Sequence, residues 1–198
     1  MHLKPGDAWN NYKNPGYAAT GAMKFFAIAF NNGDWNTIVD SSYALIGRCQ
    51  NPSNGLYPDW CKVDGSKANN GHEFYMDAVR MPWRLALDYW WHGSQQAAQL
   101  NNRFYQWLLS AHNLDLSRLK SGYMWADGSP WTNGTNTAGP ASPMFIGAYC
   151  MLAAHTNNQD FMDRCYARLV ESPSEGYFGQ SLQLIFAATL AGLLQRPF

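Results

Sequence analysis

The chain has 198 residues, enough for a sizeable core, and 14 Lys+Arg balance 14 Asp+Glu, so the formal net charge is zero. Only 14% of residues are charged, which argues against nucleic acid or an anionic membrane as a partner, since both need a basic surface. Aromatics are abundant instead, with nine Trp, eleven Tyr and ten Phe. Such side chains either line a sugar cleft, where pyranose faces stack on the rings, or fill a core, and composition leaves both open.

From the N-terminus, residues 1–17 are polar and rich in Asn, Gly and Pro, and read as extended or turn structure. Met23, Phe26, Ala27 and Phe30 recur at helical spacing and predict a helix from Ala18 to Phe30, stopped at Asn31-Asn32-Gly33. Asp34 is an N-cap candidate for a second helix reaching Arg48. Residues 49–72, broken by Pro52, Gly55, Pro58, Gly65 and Gly71, form a long loop, a length that within a compact domain usually means function or disorder. Within it Asp59 is expected to brace the loop through local hydrogen bonds.

A third helix is read from Asp77 to its closing Gly93, and Ser94 caps a fourth from Gln95 to His112. A second loop, 114–140, carries Trp125, Asp127 and Trp131 among small polar residues. Helices follow over 142–155, 159–170 and 180–194, and no stretch shows sustained period-two alternation. The reading is all-α: seven helices in hairpin-like succession, joined alternately by short turns and long loops.

The apolar run Leu182–Leu194 is interrupted by Gln183 and falls short of the ~20 residues that span a bilayer, so it reads as a buried helix. Met1-His2-Leu3-Lys4-Pro5 has no apolar core of a signal peptide. Cys49, Cys61, Cys150 and Cys165 lack CxxC spacing and the five histidines show no HExxH, so neither a metal site nor a cofactor is expected. Two disulfides or four buried thiols both fit the count. Asn133-Gly134-Thr135 is a glycosylation sequon. A GxSxG serine-hydrolase motif is absent, since Gly179-Gln180-Ser181-Leu182-Gln183 lacks the final glycine.

The densest chemistry lies in FYMDAVRMPWRLALDYWWHG, residues 74–93. Asp77, Arg80, Arg84 and Asp88 share one helical stripe, and a first-turn acid is favoured as a carboxylate by the free N–H groups, the helix dipole and Arg80. That suits a proton acceptor. The structural alternative is an ordinary Arg84–Asp88 ion pair, with Trp83, Leu87, Trp90 and Trp91 as core or lip.

Asp77-Ala78-Val79-Arg80 followed by Asp88-Tyr89-Trp90-Trp91-His92-Gly93 resembles the signature of glycoside hydrolase family 8, inverting enzymes that include endoglucanases, chitosanases and some xylanases. Asn14-Pro15-Gly16-Tyr17 is similar to the family's Asn-Pro-Ser-Tyr turn. Gly55-Leu56-Tyr57-Pro58-Asp59-Trp60-Cys61 is similar to its Gly-Leu-x-Pro-Asp-Trp loop, and Gly176-Tyr177-Phe178-Gly179-Gln180-Ser181-Leu182 to its C-terminal block. The four blocks keep the family's order over almost the whole chain.

The resemblance implies Asp77 as general base, Arg80 as its sugar-contacting neighbour and Tyr17 beside the attacking water. Trp60, Trp83, Trp131 and Tyr177 are the candidate sugar-stacking residues. Aspartate at 77 favours the cellulase- or xylanase-like branch over chitosanases. The family's general acid, a glutamate in a Ser-Glu-Gly motif, belongs to the first part of its domain, and only thirteen residues precede Asn14 here. Ser174-Glu175-Gly176 mimics that motif in a block where the family also carries Ser-Glu, and is not assigned as the acid. The expectation is therefore one unit over 1–198, the C-terminal part of an α/α toroid of the six-hairpin barrel type. The parent protein would be secreted and hydrolyse β-1,4 bonds in β-glucan or a related polysaccharide, the alternative being a non-catalytic carbohydrate-binding or assembly fragment. Seven helices cannot close that ring, so an apolar flank should stay open, to be covered by the missing N-terminal part or by a second copy.

Overall fold

The computed structural model describes residues 12–69, 71–174 and 176–197. Seven α-helices follow one another among them: α1 (Thr20–Ala29), α2 (Asp34–Cys49), α3 (Arg80–His92), α4 (Gln95–His112), α5 (Pro143–Met151), α6 (Gln159–Glu171) and α7 (Gly176–Leu190). A 3-10 turn over Pro15–Tyr17 precedes them.

The helices form two layers. α1, α3, α5 and α7 pack side by side in chain order, while α2, α4 and α6 each back onto the helix before them. Sequence dictates the assignment. α5 is apolar all round and every residue from Met144 to Met151 is buried, as a helix sandwiched between layers must be. α6 buries only Phe161, Cys165 and Leu169, one stripe at spacing four, and turns its charged face outward. The inner and outer alternation is that of an α/α toroid, of which this chain supplies an arc.

The arc leaves apolar residues bare at both ends. Ile28 on α1 and Phe30 at its C-cap are 63% and 66% exposed, and Leu184 on α7 is 71% exposed.

Several boundaries differ from the sequence reading, for local reasons. The third helix begins at Arg80 rather than Asp77, because Arg80 N and Met81 N bond back three residues, to Asp77 O and Ala78 O, in a tight turn. Its end at Gly93 is as expected, the glycine standing in the left-handed region at φ 65°. Asp34 is the first residue of α2 rather than its cap, which is Gly33. Helix α7 starts four residues earlier than read, at Gly176. A small hairpin pairs β1 (Thr132–Asn133) with β2 (Asn136–Thr137). Two residues per strand are too few for alternation to show in sequence.

The Arg84–Asp88 pair of the structural alternative does not form. Asp88 is fully buried and accepts from Lys24 Nζ of α1 at 2.7 Å and from Tyr43 OH of α2 at 2.5 Å. Tyr43 OH also lies 2.8 Å from Ser94 Oγ. Burial, then the Asp88 carboxylate, push the Tyr43 phenol up. One carboxylate thus joins three helices and the cap of a fourth.

Candidate active site

The two long loops meet. Phe74 and Tyr123 exchange backbone hydrogen bonds at 3.0 and 2.9 Å, Asn51 Nδ2 donates to Trp125 O at 2.6 Å, and Glu73 accepts from Trp125 N. Their junction carries the chain into α3 through the turn that holds Asp77.

That turn is wound around Asp59. Its buried Oδ1 accepts from the backbone N–H groups of Ala78 at 2.7 Å, Asp77 at 2.9 Å and Tyr75 at 3.2 Å. Burial pushes the Asp59 carboxyl up to about 7, the nearby Asp77 charge adds to this, and the N–H donors oppose it. Asp59 therefore braces residues 16 to 19 positions downstream rather than its own loop. Only the tertiary approach of the two segments supplies those donors.

Asp77 emerges from this turn with its carboxylate held at both oxygens. Trp60 Nε1 donates to Oδ2 at 3.1 Å, and Arg80 Nη2 donates to Oδ1. Arg80 Nε also donates to Asp77 O at 3.1 Å, so a single guanidinium grips the side chain and the backbone. The Asp77 side chain remains 31% exposed. Tyr17 lies across the arginine, with the Arg80 Cζ 5.0 Å from its ring centroid.

The 3-10 turn reaches this point because Asn14 Oδ1 accepts from Gly16 N at 2.8 Å, closing the Asn-Pro turn. Arg84 Nε donates to Gly16 O at 2.5 Å. A Cβ at residue 16 would stand 2.9 Å from Asp77 O and 2.8 Å from Asn14 Oδ1. Glycine is what lets the two segments touch. Burial, then the Arg80 charge, push the Arg84 guanidinium down to about 10.

The structure thus brings together Asp77, Arg80, Tyr17 and Trp60. Trp131 is one step away, stacked on Tyr75 with centroids 4.0 Å apart and planes at 4°. Trp83 is on the same helix but is committed elsewhere. Its Nε1 donates to Thr189 Oγ1 of α7 at 2.9 Å, and it lines a 310 Å³ cavity with Arg84, Leu87, Trp91 and Leu194. Tyr177 stands 88% exposed in the first turn of α7, with no aromatic stacking partner among the described residues. Glu175 lies outside the described residues.

Sequence reasoning marked the Asn14–Tyr17 turn and placed Arg84 on the Asp77 stripe, but passed over Glu73 and Tyr75 as parts of this assembly. Those two act through contacts that local pattern does not encode, as does the bond from Arg84 to Gly16 O. Chemically, a carboxylate held by two donors and still 31% exposed can accept a proton from a water that reaches it.

Comparison with known proteins places these residues in context. The model of glycosyl hydrolases family 8 matches residues 1–191. Endoglucanase 2 of Ruminiclostridium josui is 28% identical over 200 residues, covering 96% of this chain and 40% of its own length. A beta-glucanase of Niallia circulans is 27% identical, covering 96% of this chain and 49% of its own. The chain thus spans two-fifths to one half of these relatives. Among solved structures, a beta-1,3-1,4-glucanase from Paenibacillus sp. X4 superimposes with a TM-score of 0.80 at 22% identity, over 96% of this chain and 52% of that one. Rex8A from Paenibacillus barcinonensis, solved with xylose, gives a TM-score of 0.75 at 22% identity, over 97% and 52%. These likenesses show the fold to be that of an α/α toroid, of which this chain is a partial arc.

Proposed function

Since the chain belongs to glycosyl hydrolase family 8, we propose that its parent protein hydrolyses β-1,4-glycosidic bonds in a polysaccharide with inversion, using Asp77 as general base. The observation that carries this reading is the Asp77 carboxylate, fixed by Trp60 and Arg80 yet 31% exposed. Inversion needs a base and an acid roughly 6.5–9.5 Å apart, with a water between the base and the anomeric carbon. Asp77 takes the proton of that water. Tyr17, packed on Arg80, helps orient it, and Arg80 keeps the carboxylate pointing at the open side. Asp59 shares the turn with Asp77 but commits one oxygen to three backbone N–H groups, which makes it a brace rather than the opposing acid. The acid then comes from a segment outside these 198 residues.

Cellulose or a mixed β-glucan is the first substrate class, supported by relatives named endoglucanase and beta-glucanase. Xylan is second and chitosan third. Trp131 on Tyr75 is the best-placed sugar platform in this chain. The chain alone binds β-glucan weakly and hydrolyses it negligibly, because general acid assistance is worth about 10²–10⁴-fold.

The test is Asp77→Asn in the complete enzyme. The expected result is a loss of turnover of about 10²-fold or more with the fold intact, and a wild-type product whose first-formed anomer is α by NMR. Unchanged turnover, or a β product, rejects the assignment.

A further inference from the structure

The four cysteines are buried as free thiols, and they lie in two contact pairs. Cys49 ends α2, and Cys61 sits on the loop segment bridged to Lys13 and Lys67. With Leu45 these two form a small apolar cluster separate from the main core. Cys150 on α5 and Cys165 on α6 form the second pair. Cys150 Sγ donates to Met162 O at 3.7 Å, one helical turn before Cys165 on the helix packed against α5.

Four cysteines allow three pairings, and in only one of them are both pairs neighbours in the fold. A metal is a poor alternative, because a structural zinc needs four ligands and no cluster of three or more His, Cys, Asp or Glu occurs among the described residues.

We infer that Cys49–Cys61 and Cys150–Cys165 are disulfide positions, closed during folding by exchange with a small-molecule disulfide. In each, one cysteine thiolate attacks a sulfur of the oxidant and expels one thiol, leaving a mixed disulfide. The partner cysteine then attacks the protein sulfur and expels the second thiol. Each bridge forms one S–S bond, the protein loses two electrons and two protons, and the oxidant is reduced to two thiols. Exchange precedes burial, since in the folded chain the thiols are shielded; the neighbouring Cys61 thiol and then burial raise Cys49, and burial raises Cys165.

The first bridge has a direct consequence for the site. It ties the end of α2 to the residue following Trp60, whose indole holds Asp77. The second clamps α6 onto α5.

The full 198-residue chain is refolded in glutathione buffers, one oxidised and one reduced, then trapped with N-ethylmaleimide for intact mass and non-reducing peptide mapping. The expected oxidised product has lost four hydrogens, contains only the 49–61 and 150–165 linked peptides, and melts higher than the reduced form by about 5 °C or more per bridge. Cys61→Ser and Cys165→Ser should each retain only the other bridge and about half of that rise. Mapping of protein trapped directly during purification provides a readout that does not depend on refolding. Four alkylated thiols after oxidant treatment, any other pairing, or an oxidised form no more stable than the reduced one would overturn the assignment.

Discussion

Trp60 Nε1 donates to Asp77 Oδ2 at 3.1 Å across seventeen residues of chain. The tryptophan expected as a sugar platform spends its polar tip on the carboxylate itself. Trp60→Phe keeps the ring and removes the donor. A hydrogen bond to a charged group is worth about 1.5–3 kcal/mol, so kcat of the complete enzyme should fall roughly ten- to hundredfold with KM little changed. A rise in KM with kcat preserved would return Trp60 to the role of platform.

Asp59 makes a pH prediction. Its carboxyl is raised from 3.8 to about 7, chiefly by burial, so between these values the folded chain binds more protons than the unfolded one. The contribution to stability is present at low pH and is lost as pH rises through about 7. Asp59→Asn keeps an acceptor for the three N–H groups and cannot ionise. Urea unfolding at several pH values between about 4.5 and 8 should show wild type losing stability relative to this variant as pH rises. Parallel profiles would show that the N–H donors outweigh burial.

Asp88 is fully buried, and Lys24 is its one cationic partner among the described residues. Removing one member of a buried pair leaves an uncompensated charge and costs about 3–5 kcal/mol. Lys24→Met should approach that loss. Lys24→Met combined with Asp88→Asn should recover part of it, as measured by denaturant midpoints.

Gly16 stands where the similar family turn carries serine, and a Cβ there would press on Asp77 O at 2.9 Å. Gly16→Ala should push the Asn14 turn away from Asp77, lowering stability by about 1–3 kcal/mol and loosening the Tyr17–Arg80 contact. Thermal melting measures the first effect and turnover of the complete enzyme the second. An alanine variant equal to wild type in both would mean the turn has room to relax.

Much of the fold was legible in order and type. The buried run of α5, the stripe of α6 and the cap at Ser94 are local patterns, and local patterns survive in sequence. The boundary at Arg80 was not legible, since the preceding turn is shaped by Asp59 from another segment.

The site divides along the same line. Sequence by itself determined the α-helical class, the order of motifs and the presence of Asp77, Arg80 and Tyr17, because residue type and short spacing carry that information. Tertiary structure alone decided that Trp60 orients the carboxylate, that Trp83 serves α7 instead, and that Asp88 pairs with Lys24 rather than Arg84. A side chain with a free donor binds whichever acceptor packing brings within about 3 Å, and that partner can lie 17, 64 or 106 residues away.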